Sequence, residues 1–188
     1  ALENFPISGL HLQKNLIYSI AIIKKAAAIA NLKDKKLERK KAKAVIKACD
    51  DILNGKLDNE FQVDVFQAGA GTSENMNLNE VITNRALEIL KKKKGSYNII
   101  NPNDHANLSQ STNDVFHSAI HLASYLEIKN QLNPNLVNLE KELRKKVILW
   151  KNIIKSGRTH LRDAVPMTLG KEFSGYAELI NKDIKHIK

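Results

Sequence analysis

The sequence contains few residues that break helices, cross-link chains or stack on ligands. Its 188 residues include 8 Gly, 4 Pro and one Cys, and 5% of them are aromatic. So few glycines and prolines over this length favour long helices over strands joined by tight turns. The lone Cys49 excludes a disulfide within the chain, which fits the reducing cytoplasm. We therefore expect a helical, cytoplasmic protein.

Long apolar runs and targeting signals are also lacking. The most apolar stretch, residues 16–23, contains Tyr18 and Ser19 and is followed at once by Lys24 and Lys25. A membrane-spanning helix needs about 20 predominantly apolar residues. The first residues also lack the basic start, apolar middle and small-residue cleavage site of a signal peptide. These absences predict that the protein has no membrane partner.

The charge of the chain is strongly positive. Thirty Lys and Arg stand against 20 Asp and Glu, which gives a net charge of +10, and basic runs cover residues 33–47, 91–94 and 141–151. Nucleic-acid-binding proteins show such an excess, but they usually add aromatic side chains for stacking or a recognisable binding module. Acidic residues are interleaved with the basic ones in two of the runs, so we interpret the runs as solvated helix faces. We expect no nucleic-acid partner and keep such binding as the weakest alternative.

Apolar residues recur with a helical period through most of the chain. The six stripes that they form span residues 12–30, 37–52, 78–89, 115–126, 136–154 and 169–184. Asn54 and Gly55 predict the end of the second helix, and Asn133 followed by Pro134 predicts the start of the fifth. Only residues 61–66 alternate with the period of a strand. The predicted fold is therefore all-α.

The two ends of the chain do not look like natural boundaries. The sixth stripe still runs at Lys188 without a glycine stop or a capping residue, and the chain opens at Ala1 rather than at a methionine. This pattern predicts that the chain is part of a longer protein.

Three polar segments are longer than ordinary connections between helices, and each precedes a predicted helix. They are QAGAGTSENMN at residues 67–77, NPNDHANLSQSTND at 101–114 and GRTHLRDAVP at 157–166. Their hydroxyl and amide side chains lie where a helix exposes its first N–H groups and the positive end of its dipole, which favours a bound carboxylate or phosphate. Capping alone is the simpler interpretation of any single segment. Three together predict anion-binding helix termini and leave open whether these converge.

A metal site has weaker support. His117 and His121 stand four residues apart on one predicted helix, the spacing of a zinc-binding pair. No third ligand or glutamate of the zincin type accompanies them. We predict no metal site.

Four stretches of the chain resemble the aspartase/fumarase superfamily, in the order in which that family has them. They are ENFPISG at 3–9, GTSENMNLNEVITNRALE at 71–88, SQSTND at 109–114 and GRTHLRDAVPMTLGKEFSGY at 157–176. The resemblance implies a fumarase/aspartase-like fold, with an N-terminal helical domain at 1–114 and the truncated start of a long central helix bundle at 115–188. It also implies a lyase that eliminates a small group from a C4 dicarboxylate without a metal or organic cofactor, and that forms homotetramers with shared active sites.

The resemblance assigns binding roles to individual residues. Thr72 corresponds to a residue that binds a substrate carboxylate. The second block supplies a cluster that holds the carboxylate and the amino or hydroxyl group of the substrate, and the third supplies a pair for the other carboxylate; these residues are Ser111, Thr112, Asn113, Thr159 and His160. Asn103 and Asp104 correspond to part of a secondary anion site, although the histidine that fumarases typically have at the start of that block is Asn101 here.

The catalytic base of the family is not expected in this chain. In that family the base is a serine on a mobile glycine-rich loop, which in family order comes after Lys188. The resemblance therefore implies that these 188 residues carry much of the binding apparatus and are inactive alone.

Details within the blocks favour one branch of the superfamily. The runs QAGAGTS and SQSTND resemble aspartases, which eliminate ammonia from L-aspartate to give fumarate, whereas fumarases commonly have serine in place of Thr112. Fumarate hydratase is the alternative, since GRTHL occurs in both branches. A non-catalytic helical relative, such as an eye-lens member of the superfamily, is the other; the intact binding residues argue against it.

Overall fold

The structure, a computed structural model, describes residues 2–67 and 69–187 and is mainly helical. The chain divides into two compact units, Ala1–Ser124 and Tyr125–Lys188. The helices are α1 (Lys14–Lys33), α2 (Arg39–Leu53), α3 (Thr72–Ile89), α4 (Thr112–Glu127), α5 (Asn133–Leu149) and α6 (Leu169–Ile187), and a hairpin of β1 (Ile154–Thr159) and β2 (Arg162–Thr168) precedes α6. The all-α class is confirmed, with one small hairpin that the periodicity did not reveal. The predicted domain boundary at residue 114 stays a prediction.

The first unit is built on the packing of α1, α2 and α3 around one apolar core. In α2 the buried residues recur every three or four positions and so form one face of the helix; they include Ala42, Val45, Ala48, Cys49 and Ile52. Burying one such Ile or Val side chain contributes about 1.5–3 kcal/mol. The predicted end of α2 is confirmed, because Gly55 adopts φ +75° and its N–H donates to the carbonyl of Ile52.

The cysteine lies inside this core. Cys49 is fully buried, and burial raises the pKa of its thiol to about 12. The thiol is therefore protonated and shielded in the folded first unit, so it behaves there as a small apolar side chain.

Helix α1 corrects the expectation about membrane spans. It is long and apolar enough to cross a membrane, with a mean hydropathy of 1.2. That criterion is weak evidence, because core helices of soluble proteins and signal sequences also satisfy it. Here α1 packs against α2 and buries Ile17, Ile20 and Lys24. It therefore serves as a core helix of the first unit.

In the second unit α5 and α6 pack along each other. The Trp150 and Phe173 rings meet edge to face with centroids 4.8 Å apart. At Gly170 the two helices approach so closely that a Cβ atom would lie 2.6 Å from the carbonyl oxygen of Val147. Only glycine fits this position without a shift of the backbone.

The segment at 157–166 does not have the structure that we predicted. It forms most of the β1–β2 hairpin, in which Thr159 pairs with Arg162, and α6 begins only at Leu169. The two residues between the strands, His160 and Leu161, both have positive φ (47° and 63°), as a two-residue type I′ turn requires. The fifth apolar stripe was wrong only at its end and for the same reason, since α5 ends at Leu149 and Ile154 lies in β1.

Residues 61–66, the stretch with the period of a strand, contribute one isolated bridge, His11 with Asp64. The predicted start of the fifth helix is confirmed, because α5 begins at Asn133 and Pro134 lies in its first turn. Proline suits that position, since its missing N–H would have no partner within the helix there. A π-helical turn at Ile128–Leu132, which the apolar period did not indicate, directly precedes α5.

Asp64 fixes the N-terminal segment to the first unit. Its carboxylate accepts hydrogen bonds from the N–H groups of Ser8 (2.6 Å), Gly9 (2.8 Å) and Phe66 (2.9 Å), and from the Ser8 hydroxyl. Burial alone would raise the pKa of Asp64, but these hydrogen bonds outweigh it and hold the pKa well below its usual range. The carboxylate therefore acts as the anchor of residues 8–10.

Replacing Asp64 with alanine should release this segment. We expect faster proteolysis and hydrogen exchange at residues 2–11, with the α1–α3 core unaffected. Because the folded pKa is depressed, the anchoring is complete above the ordinary Asp pKa of 3.8 and is lost as the pH falls below it. Wild type should therefore keep part of its protection at residues 2–11 below pH 3.8 and lose it progressively as the pH falls towards the depressed pKa of the folded state. Asp34→Ala, at the exposed end of α1, is the control, and equal protection of residues 2–11 in both variants would contradict the anchor role.

Candidate functional site

Two of the three polar segments lead into helices as predicted. Thr72 is the first residue of α3 and Thr112 is the first residue of α4. Gly71 caps α3 with a left-handed conformation, φ +82°, and has no side chain to hydrogen-bond the first N–H groups. The start of α3 therefore presents N–H donors without a side-chain cap, of the kind that favour an anion, whereas at α4 the Ser111 hydroxyl accepts from the N–H of Asn113.

The structure brings these two helix starts together. The side-chain amide of Asn75, one turn into α3, donates a hydrogen bond to the Thr112 hydroxyl oxygen at 3.0 Å. Phe116, one turn into α4, packs so closely on Gly71 that a Cβ atom there would lie 2.3 Å from its ring. The first turns of α3 and α4 thus form one cluster, which we call the α3–α4 cluster: Gly71, Thr72, Asn75, Thr112 and Phe116.

The hydrogen bond from Asn75 determines what Thr112 can do. Its oxygen accepts from the amide, so its own proton is available to donate to a bound anion. The flanking Ser111 and Asn113 are exposed and are joined by a bond from the Asn113 N–H to the Ser111 hydroxyl at 3.3 Å. The cluster therefore offers several donors to solvent from neutral side chains.

A cavity adjoins the start of α3. Its volume is about 620 Å³, within the range of about 300–1,000 Å³ typical of small-molecule sites. Thr72, Ser73 and Met76 line it from α3, and residues 2–4 of the N-terminal segment line another side. The sequence did not indicate that Met76 or residues 2–4 would be close to Thr72.

A buried polar network lies beside the α3–α4 cluster. The ammonium of Lys24 donates to the side-chain oxygens of Asn107 (3.1 Å) and Gln110 (3.5 Å). Asn107 Oδ1 also accepts from Asn75, at 3.4 Å. Sequence reasoning missed Lys24, although its position four residues after Ile20 and before Ala28 is the spacing of a buried helix face.

Thr159 and His160 lie in the second unit, at the end of the hairpin. Both side chains are exposed, and the Thr159 hydroxyl is 3.4 Å from His160 Nδ1. A non-glycine residue with positive φ stores about 1–3 kcal/mol of strain, and strain of this kind is concentrated at functional sites. Leu161, the other residue of the turn, is 99% exposed. The tip therefore displays His160 beside a solvent-facing leucine in a strained turn.

The residues of the predicted secondary anion site form a local cap. The Asn101 side chain accepts hydrogen bonds from the N–H groups of Asn103 (2.8 Å) and Asp104 (3.2 Å). His105 Nδ1 accepts from the Asn101 N–H at 2.9 Å. Burial, and then the charge of Lys41, lowers the pKa of His105. An anion at this position would have to compete with Asn101 for the two N–H groups, and the anion-binding role stays a prediction.

No metal cluster is found in the part of the chain that the structure describes. Among residues 2–67 and 69–187, no three His, Cys, Asp or Glu side chains are grouped so that they could hold a metal ion. His117 and His121 are both exposed on α4.

The chain is similar to known lyases over its whole length. A family model described as "Lyase" matches residues 2–188. The chain is 48% identical over 188 residues to aspartate ammonia-lyase of Bacillus subtilis (strain 168), covering 100% of this chain and 39% of that protein. It is 49% identical over 188 residues to fumarate hydratase class II of Wigglesworthia glossinidia brevipalpis, covering 100% of this chain and 40% of that protein.

A solved structure supports the same relationship. The fumarate lyase:delta crystallin of Brucella melitensis in its native form is 48% identical, with a TM-score of 0.92 over 98% of this chain and 43% of that one. The chain thus spans about 40% of the length of the curated relatives that it matches. Aspartate ammonia-lyase and fumarate hydratase are matched at almost equal identity, so overall similarity does not separate the two activities.

Proposed function

Because the chain belongs to the lyase family, within the aspartase/fumarase superfamily, we propose that the enzyme to which it contributes eliminates ammonia from L-aspartate to give fumarate. The observation that carries this proposal is the junction of two helix starts through the 3.0 Å bond from Asn75 to Thr112. That junction gathers hydroxyl and amide donors where a carboxylate is favoured.

Each residue has a stated task in the proposed reaction. Thr72 binds one carboxylate of the substrate at the start of α3. The start of α4 holds the carboxylate and the amino group of aspartate, through Ser111, Thr112 and Asn113. Thr159 and His160 bind the other carboxylate. We place these residues in one site formed by different subunits of a cytoplasmic homotetramer.

The donors matter most after the proton has been removed. A base takes the proton beside one carboxylate and leaves an aci-carboxylate with one additional negative charge; ammonia then departs from the neighbouring carbon. Preorganised donors aimed at such developing charge are usually the largest single contribution to catalysis. We propose that the base is a serine outside these 188 residues, and that the chain supplies the donors.

Hydration of fumarate is the second candidate function. It uses the same carboxylate-binding donors and the same type of intermediate, with water in place of ammonia. The near-equal identity to fumarate hydratase class II supports it. Thr112, where fumarases commonly have serine, is the reason that we favour aspartate.

The assay uses the complete enzyme. It is incubated with L-aspartate and, separately, with L-malate, and the ultraviolet absorbance of fumarate is followed. We expect turnover of aspartate. Turnover of malate alone would replace our proposal with fumarate hydratase, and turnover of neither would refute both.

His160→Asn tests the role of the hairpin tip. Asparagine tolerates the left-handed conformation that His160 adopts, so the turn should remain intact. Asparagine has no counterpart of the distal ring nitrogen Nε2, and loss of one charge-assisted hydrogen bond from that atom, about 1.5–3 kcal/mol, predicts a fall in kcat/KM of about 10–100-fold. His121→Asn, an exposed histidine on α4, is the control. Equal kcat/KM in both variants would remove His160 from the site.

A further inference from the structure

Lys24 is a buried charge for which neither the fold nor the binding residues proposed above provide a reason. Its side chain is 0% exposed, in the middle of α1. Lysine is almost never fully buried unless it is paired. Among residues 2–67 and 69–187, no carboxylate lies within 4.0 Å of its ammonium. The adjacent Lys25, by contrast, pairs with Asp50 at 2.7 Å in a partly exposed position.

The ammonium of Lys24 controls how two amides are oriented. An ammonium group only donates, so Asn107 and Gln110 must turn their side-chain oxygens towards it. Their NH₂ groups then point to backbone carbonyls, from Asn107 to Gln110 at 3.2 Å and from Gln110 to Ala106 at 3.0 Å. These bonds close the turn that contains Ser109, whose φ is +60°. Lys24 is thus hydrogen-bonded to both side chains that bridge the turn leading into α4.

The same network reaches the α3–α4 cluster. Asn107 Oδ1 accepts from Lys24 and also from Asn75 Nδ2, and Asn75 Nδ2 donates in turn to the Thr112 hydroxyl. The Thr112 hydroxyl is thus linked to the ammonium of Lys24 through Asn75 and Asn107. Residues 107–110 run directly into Ser111, Thr112 and Asn113.

We propose that Lys24 is a positioning residue for the dicarboxylate site: its buried ammonium orients Asn107, Gln110 and, through Asn75, the Thr112 hydroxyl, and it provides a positive charge behind the segment that binds the substrate carboxylate. The proposal rests on the proposed function above. It explains why an ammonium is kept in the core, where burying a charge without an opposite charge is costly.

The charge state of Lys24 follows from its surroundings. Burial lowers the pKa of its ammonium to about 8. The titratable group that interacts with it from α2 is Cys49, which is a neutral thiol because its pKa is raised to about 12. Residues 106–110 contain no titratable side chain, and α3 contributes the amide of Asn75. Lys24 is therefore charged at about pH 7 and loses its proton above about pH 8.

The test compares Lys24→Met with Lys25→Met in the complete enzyme. Succinate is the probe, because its two carboxylates stay ionised above about pH 7. We expect Lys24→Met to raise the Ki of succinate about tenfold, the value of about one charge-assisted interaction, and to lower kcat/KM by more, because the intermediate carries additional negative charge. Its thermal midpoint should fall, because the side-chain oxygens of Asn107 and Gln110 lose a donor, so the Ki of succinate is the deciding measurement. Lys25→Met should leave Ki and kcat/KM unchanged.

A merely structural role predicts a different combination. In that case Lys24→Met would lower the thermal midpoint but leave the Ki of succinate unchanged, and the proposal would be wrong. The pH profile gives a second check. The Ki of succinate should rise above about pH 8 in wild type more steeply than in Lys24→Met; parallel profiles would also refute the role of the charge.

Hydrogen exchange separates this proposal from the proposed function. In Lys24→Met the backbone amides of residues 107–113 should exchange faster, and in Lys25→Met they should not. This measurement needs no turnover. Inactivity of wild type on both aspartate and malate would therefore refute the proposed function alone, whereas unchanged exchange at 107–113 would refute the positioning by Lys24.

Discussion

Replacing Gly71 with alanine should lower turnover by about a hundredfold, because it displaces Thr72 at the start of α3. A Cβ atom at this position would lie 2.3–2.7 Å from three ring atoms of Phe116. Because Cγ, the ring atom nearest the backbone of α4, is among them, relieving the contact requires a new rotamer of Phe116 or a shift of α4, on which Thr112 lies. The left-handed conformation adds about 1–2 kcal/mol of strain and the overpacking about 1–3 kcal/mol, so we expect the free energy of unfolding to fall by about 3 kcal/mol.

Gly95→Ala provides a matched control for this change. Gly95 has φ +81°, almost the same as Gly71, and nothing lies within 4 Å of the place where its Cβ would be. It should lose about 1–2 kcal/mol from backbone strain alone and keep full turnover. Urea denaturation followed by circular dichroism, together with kcat/KM, compares the two. If both variants lose the same stability and activity, close packing of Gly71 on Phe116 is not what positions Thr72.

Replacing Asp51 with alanine should destabilise the first unit by about 2 kcal/mol, below the roughly 3–5 kcal/mol typical of breaking a fully buried pair. Asp51 is buried in α2 and its carboxylate contacts Arg85 of α3 at 2.8 Å and Lys56 at 2.9 Å. The two cations keep partial access to water, which limits the cost of losing their partner. Urea denaturation at about pH 7 measures the difference.

Acid should abolish this difference. Burial would raise the pKa of Asp51, but the hydrogen bonds from Lys56 and Arg85 lower it overall. A depressed folded pKa means that the stabilisation is present above the ordinary value of 3.8 and is lost as the pH falls below it. Glu88→Gln, which removes a partly exposed partner of Arg85, should cost less than about 1 kcal/mol. If Asp51→Ala and Glu88→Gln lose the same free energy of unfolding, burial of Asp51 does not strengthen its ion pairs.

The helices of the first unit could be predicted because their signals are local. The apolar period marked α1, α2 and α3, and Asn54–Gly55 marked the end of α2. The hairpin could not be found in this way, because its turn consists of His160 and Leu161 rather than the Asn-Gly or Gly residues that normally indicate a type I′ turn. The start of α5 at Asn133 and Pro134 was predicted, but the apolar period gave no signal for the π-helical turn at Ile128–Leu132 before it.

The candidate site shows the same division between local and distant signals. The hydroxyl and amide residues at the starts of α3 and α4 could be predicted from the sequence as anion-binding helix termini. The bond from Asn75 to Thr112 joins residues 37 positions apart, and no local pattern specifies it. Lys24 was taken as the polar end of an apolar run, although Ile17, Ile20, Lys24 and Ala28 share one helix face. The apolar period identifies this helix face. It does not show that the face can hold a charge, because the partners of Lys24 are Asn107 and Gln110, more than 80 residues away.

The reactivity of the buried Cys49 reports how often the first unit opens. A thiol-specific reagent reacts with the thiolate, which is scarce when the pKa is about 12, and it cannot reach a fully buried sulfur. Labelling at this position therefore proceeds only through molecules in which α1 and α2 have separated. The labelling rate at Cys49, located by mass spectrometry, would rank the Gly71, Asp51 and Lys24 variants by opening frequency under native conditions, where denaturant curves do not reach.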